Sequence, residues 1–256
     1  MKMILPKTFE PAPSLIMGCL LTGKFDVNRQ ECLPNDDFSL VKSWAASIAD
    51  LGLHAVLFHN HLSAKTCKAH SHKKLTFIKV EHDTKFNANV YRYLVYQKFL
   101  HLYGKQLESF FVTDVSDVVL VQNPFIQKLF VDNPTNLFCG DEPKQLGSKW
   151  MENHSAHFRS KIASFAAYEA KYKDYPLLNC GIIGGSAQIM TMLLEKIATL
   201  HATSNADNRT AYTGDMAAFN FVLRNEFDGK INHGAPINTL FKGYETQRED
   251  CWFRHK

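Results

Sequence analysis

Long apolar runs are missing from this chain. No stretch approaches the roughly 18 continuous apolar residues that a membrane-spanning helix needs, so such a helix is not expected. Residues 1–13 have no apolar core behind basic residues and do not read as a secretory signal. CxxC spacing is absent: Cys19, Cys32, Cys67, Cys139, Cys180 and Cys251 are scattered. That usage fits free thiols in a reducing compartment, so a cytoplasmic location is expected. No basic run alternates with aromatics. The formal charge of +4, from 29 Lys and Arg against 25 Asp and Glu, suits anionic ligands but falls short of a nucleic-acid partner. GxGxxG does not occur, which leaves dinucleotide binding poorly supported. With no internal repeat, low-complexity segment or linker, residues 1–256 read as a single domain able to bury one large core.

What is present alternates between strand and helix patterns. Residues 14–22 form an apolar run ended by Gly23, followed by an irregular stretch with Asp26, Asn28 and Pro34. Asp36 or Asp37 can cap a helix whose apolar positions Phe38, Val41, Trp44, Ala45, Ile48 and Leu51 recur at helical spacing, with Gly52 as its stop. Residues 54–59 and 75–80 read as strands with a polar loop rich in His and Lys between them. A helix capped by Asn87 or Asn89 runs to Gly104. Strands at 110–121, 136–141 and 177–183 follow, with one long helix or two over 150–173 and further helices at 187–200 and 215–223. The tail from Asn225 looks irregular or strand-like. This pattern predicts an α/β fold with a mostly parallel central sheet flanked by helices.

Chemistry concentrates in four places. In the central apolar run over 110–121, Asp114 and Asp117 stand three residues apart. One reading has Asp114 capping a turn and Asp117 on an exposed face. The other makes them oxygen ligands for a hard divalent cation, since a buried carboxylate needs a partner. The segment Asn179-Cys180-Gly181-Ile182-Ile183-Gly184-Gly185-Ser186 reads as strand followed by a glycine turn, serving either chain reversal or close approach to a ligand. Asp215, in Thr213-Gly214-Asp215, opens a helix as a cap or stands beside an acceptor. The tail carries Arg254, His255 and Lys256, where a neutral imidazole can complete a metal shell and the cations can meet a diphosphate.

Competing chemistries fit less well. A phosphatase of the haloacid-dehalogenase type needs an acid two residues after its nucleophile, and Val115 and Ser116 make the offset three. A sugar nucleotidyltransferase wants a glycine-rich basic loop after the first strand, where only Gly23 and Lys24 stand. Cys67, His70 and His72 lack a fourth zinc ligand and lie among lysines. A non-catalytic sugar- or nucleotide-binding module remains an alternative.

Together these elements resemble metal-dependent glycosyltransferases of the GT-A fold. Asp114 to Asp117 is similar to the family's DxD motif, in a DxxD variant, and residues 178–186 to the glycine-containing strand that lines the donor sugar. Asp215 to Asn220 resembles the short acidic helix beside the reaction centre. Arg92 and Tyr96 resemble the Arg and Tyr that meet the nucleotide, and Arg254-His255-Lys256 the late basic segment that reaches back to metal and phosphates. The resemblance implies a nucleotide-sugar donor, UDP-sugar most of all, with Mn²⁺ or Mg²⁺ on Asp114, Asp117 and His255. It implies transfer to a hydroxyl of a glycan or other acceptor. The nucleotide base is expected near Thr22 and Gly23 and near Asn60, beyond the carboxyl ends of two strands, and the donor sugar and phosphates near Asn179, Gly184, Gly185, Arg254 and Lys256. Asp215, with Glu142 second, is the expected base of an inverting reaction; in a retaining one Asp215 would orient the sugar. The tail is expected to become ordered on the donor.

Overall fold

The computed structural model describes residues 1–6, 8–26, 30–204 and 214–256, so Asn28 and Thr213 lie outside the described residues. In chain order the elements begin with β1 (Met3–Ile4), β2 (Ser14–Leu20), β3 (Phe25–Asp26) and β4 (Glu31–Cys32). Then come α1 (Lys42–Asp50), β5 (Ala55–His59), α2 (Ala64–His70), β6 (Leu75–Val80), α3 (Ala88–Tyr103), β7 (Ser109–Thr113), β8 (Val118–Leu120) and α4 (Lys128–Val131). The second half holds β9 (Leu137–Gln145), α5 (Lys149–Lys161), α6 (Phe165–Tyr172), β10 (Pro176–Ser186), α7 (Ala187–Ser204), α8 (Asp215–Glu226), β11 (Ile231–His233) and β12 (Phe253–His255).

Eight strands make one sheet in the order β1-β6-β5-β2-β7-β10-β9-β11. β6, β5, β2 and β7 are mutually parallel, β9 and β11 are parallel, and β10 is antiparallel to both β7 and β9. Only β10 and the edge strand β1 therefore run against the rest, so the sheet is mostly parallel, as expected. The chain builds outward from β2 through β5 to β6, then crosses back to lay β7 on the other side of β2. At such a reversal the connections leave in opposite directions and open a crevice beyond the strand ends.

Both faces are covered, and each holds its own apolar core. One contains Tyr93, Phe99, Phe110, Ile183, Leu193 and Phe219, contributed by α3, α7, α8 and the sheet; the other holds Trp44, Ile48, Phe111, Phe138 and Trp252. Local signals act where expected. Asn87 accepts from the backbone N–H of Asn89 at the start of α3, Asp37 caps the single turn before α1, and Gly52 stops α1 at φ +64°.

Four local expectations are corrected. The polar loop after β5 contains α2, started by Ser63, whose hydroxyl accepts from Thr66 N. The apolar run 110–121 is two strands: β7 stays in the sheet, while β8 leaves it to pair with β12. β9 continues to Gln145 rather than stopping at Asp141. Gly184 and Gly185 lie inside β10, which passes directly into α7 without a glycine turn. No helix among the described residues is long and apolar enough to cross a membrane.

Candidate functional site

A cleft of about 600 Å³ opens at the carboxyl ends of β2 and β7 and continues past β10 to β9. Its volume lies within the usual range for small-ligand pockets. Cys19, Leu20 and Leu21 line it at the β2 end, Asp114 to Asp117 at its centre, and Asn179, Glu142 and Trp150 at the far end.

The centre is built by three departures from regular strand. β7 stops at Thr113, so residues 114–117 turn away from the ladder before β8 begins. β8 then pairs antiparallel with β12, which places His255 opposite Val118, and Lys256 N donates to the carbonyl of Asp117. In β10 the pairing with β9 jumps from Asn179↔Gly140 to Ile183↔Cys139, a bulge that leaves Cys180, Gly181 and Ile182 without partners on β9, although Ile182 still pairs with Thr113 of β7. Bulges re-aim a strand beside a site. Here Gly181 accepts from Asp114 N at 2.8 Å and donates its own N–H to Asn179 Oδ1 at 2.7 Å.

Asp114, Asp117 and His255 consequently converge: each offers a ligand atom, and these atoms all lie within 4.8 Å of one another. His255 Nε2 stands 4.0 Å from Asp117 Oδ2, and its buried Nδ1 has no hydrogen-bond partner among the described residues. Burial pushes the imidazole down to about 4, against the pull of Asp114, so the ring is neutral at pH 7 and its lone pair is available. Two carboxylates and a neutral imidazole are a donor set for a borderline or hard dication such as Mn²⁺. The residues therefore fit the expected metal.

Arg92 organises the acids. Its Nη1 pairs with Asp114 Oδ1, and its Nη2 reaches Asp215 Oδ2 at 3.4 Å and Cys180 Sγ at 3.2 Å. Burial works against the guanidinium charge, but its acidic neighbours, Asp114 foremost, outweigh burial and hold it well above the ordinary value. Asp114 is thus divided, with Oδ1 on Arg92 and Oδ2 facing Gly181, where an added Cβ would lie 2.7 Å away. Glu142 is buried and accepts from Asn179 Nδ2 at 3.0 Å and Lys144 Nζ at 3.2 Å.

Of the residues expected from sequence, Arg92, Asp114, Asp117, Glu142, Asn179, Asp215 and His255 are brought to this cleft. The others are placed elsewhere. Tyr96 is 1% exposed and packs edge-on against Phe58 in the core. Gly184 is where the Phe111 ring crosses the strand: a Cβ there would meet it at 2.1 Å, so the glycine serves packing. Gly185 lies against the Asn136 carbonyl. Thr22 and Asn60 satisfy each other through Thr22 N to Asn60 Oδ1 and Asn60 Nδ2 to Thr22 O, and Gly23 supplies φ +83° beside His61. Arg254 donates from Nε to the Arg248 carbonyl, and the Lys256 side chain is exposed. The tail forms a strand with Trp252 and Phe253 at most 1% exposed, packed into the core rather than lying irregular. Cys67 stands 3.6 Å from His59, while His70 stacks on Phe38, so the Cys67, His70 and His72 set faces different partners.

Sequence reasoning missed Gly181 as a seat for the acids, Lys242 as the basic residue that lines the cleft from the late segment, and Trp150 at its lip. The tight spacing of Asn179-Cys180-Gly181 was a usable signal; Lys242 and Trp150 carried none. No family model and no curated protein matches the chain.

Proposed function

We propose that the chain is a metal-dependent glycosyltransferase of the GT-A type, moving a sugar from a nucleoside-diphosphate donor, a UDP-sugar first, to a hydroxyl of a glycan or other acceptor. The observation that carries this reading is the convergence of Asp114, Asp117 and His255 at the strand-order reversal between β2 and β7. Ligands gather at that place in open α/β sheets. The six cysteines are all unbridged, which supports a reducing, cytoplasmic setting.

Asp114, Asp117 and His255 would hold Mn²⁺ or Mg²⁺, which when bound neutralises charge developing on a departing diphosphate. Arg92 fixes the rotamer of Asp114. The apolar walls Leu20 and Leu21 receive the nucleoside at the end of β2, and Lys242 lines the same cleft for the phosphates. Asp215 shares Arg92 with Asp114 and so stands on the donor side, where its carboxylate accepts hydrogen bonds from sugar hydroxyls. Glu142 lies toward the acceptor, its orientation set by Asn179, and takes the proton of the attacking hydroxyl.

Titration calorimetry with UDP, with and without Mn²⁺, tests the reading on the wild type and on Asp117→Ala. Mn²⁺ is expected to tighten UDP binding to the wild type by about tenfold or more, and to leave the variant unchanged. Equal affinity in all four conditions would overturn it. A panel of nucleotide sugars scored for Mn²⁺-dependent donor hydrolysis then identifies the sugar.

A further inference from the structure

Residues 51–80 contain five lysines, Lys65, Lys68, Lys73, Lys74 and Lys79, and no arginine, aspartate or glutamate. The other 226 residues hold 24 Lys and Arg against 25 Asp and Glu, so the positive excess of the chain resides in this one stretch. The fold keeps it together as β5, α2 and β6, beside the edge strand β1. None of the seven residues of α2 is buried, and Lys65 and Lys68 stand one turn apart along it. Lys65, Lys68, Lys73 and Lys79 are exposed, and none of the four pairs with an acid among the described residues. Lys74 is half-buried and donates to the Gly52 carbonyl. Acids border the stretch at Asp50, Glu81 and Asp36, the last accepting from Ser63 N at 2.6 Å. One side of the sheet carries both α2 and Lys79. Cys67 of α2 lies 3.6 Å from His59, whose ring meets Phe77, and strand alternation puts Lys79 on the side of Phe77. Ile4 is the register partner of Lys79, so it projects on that side too, and it is 51% exposed.

We propose that this face docks on an anionic bilayer, with the lysines over the lipid headgroups and Ile4 at the acyl boundary. Like charges held side by side without internal partners repel one another, and a negative surface outside the chain offsets that repulsion. None of these lysines lines the cleft, so their counter-charge is not the ligand bound there. The side chains also separate a bilayer from a nucleic acid. Nucleic-acid surfaces favour arginine forks and rings on which bases stack. Here every cation is a lysine, and the exposed apolar neighbour is aliphatic. A lysine cluster with an aliphatic side chain beside it matches headgroups above an acyl layer. Each lysine near such a surface raises partition by about fivefold, so the four exposed ones together give about a hundredfold or more.

Vesicle co-sedimentation of the full chain tests it, with vesicles of phosphatidylcholine alone or with about 30% phosphatidylserine. Partition onto the anionic vesicles is expected to exceed that onto the neutral ones by about tenfold or more, and to vanish in about 0.5 M NaCl. Replacing Lys65, Lys68, Lys73 and Lys79 together by Gln is expected to abolish that preference. A control replaces Lys98, Lys105, Lys128 and Lys230 by Gln; these are also exposed, the same charge is removed, and the preference is expected to survive. Cooperative urea unfolding shows that both variants are folded. Ile4→Asn is expected to lower partition by about fivefold while keeping the salt dependence. Equal binding to both kinds of vesicle, or an equal loss in the control variant, overturns the proposal. Tighter binding to a single-stranded RNA at equal phosphate concentration also overturns it. The assay uses neither donor nor metal, so this surface and the transferase reading stand or fall separately.

Discussion

Gly181 has no side chain where three functional groups meet. A Cβ there would lie 2.5 Å from His255 Cε1, 2.7 Å from Asp114 Oδ2 and 2.9 Å from Asn179 Oδ1, all closer than real Cβ contacts. Gly181→Ala is therefore expected to push the imidazole and the carboxylate apart. The Mn²⁺-dependent gain in UDP affinity should fall by about tenfold or more, a loss read by calorimetry. Gly229→Ala, with nothing within 4 Å of its Cβ, is the control and should leave that gain intact. At this scale the sequence spoke unevenly. Asp114, Asp117, Asp215 and His255 could be picked out because acids and imidazoles in apolar surroundings need a reason. Tyr96 and Gly184 looked equally meaningful and serve the core, because residue type alone cannot separate a ring that faces a ligand from one that faces Phe58.

The pairing of β8 with β12 makes the last strand part of the site. It carries His255, anchors the Asp117 carbonyl through Lys256 N, and follows Trp252, which packs against Phe111 and Phe138. Trp252→Ala is expected to cost about 3–5 kcal/mol, measured by urea denaturation, since a large buried ring leaves a cavity. A chain ended at Asp250 should lose cooperative unfolding as well as Mn²⁺-dependent UDP binding; full stability in that shortened chain would contradict the packing described. Period and caps made most elements legible, among them β2, β5, α3, β7 and α7. β8 was not legible, because an apolar run continuing past two acids has no local mark showing that it changes sheets. The bulge in β10 was equally hidden, being a property of its register with β9.

Across the whole molecule, two histidines that do not line the cleft are buried as neutral rings. His59 lies at the end of β5 and His201 within α7, and burial holds each down to about 4 from an ordinary 6.5. The unfolded chain protonates them first, so the stabilisation is complete above pH 6.5 and is lost as pH falls toward 4. Each contributes a slope of about 1.4 kcal/mol per pH unit inside that window. Urea midpoints measured between pH 7.5 and 5 should decline accordingly, and His201→Phe should flatten the decline; a midpoint flat across that range would refute the argument. The sheet's direction and two-faced cover were readable from the alternation of strand and helix. The cleft's far wall was not, because Lys144, Trp150 and Lys242 come together only once β9, α5 and the late loop are folded.

Arg92, shared between Asp114 and Asp215, also sets how strongly the cleft can retain what it uses. Those two aspartates and Asp117 carry three formal negative charges, and the guanidinium cancels one. A single dication would bring the remainder to zero. On the proposed reading, a spent nucleoside diphosphate would then face an electroneutral seat, with Lys242 as the spare cation lining the cleft. Product affinity would then rest on the bound cation and on Lys242, and not on any net charge of the seat itself.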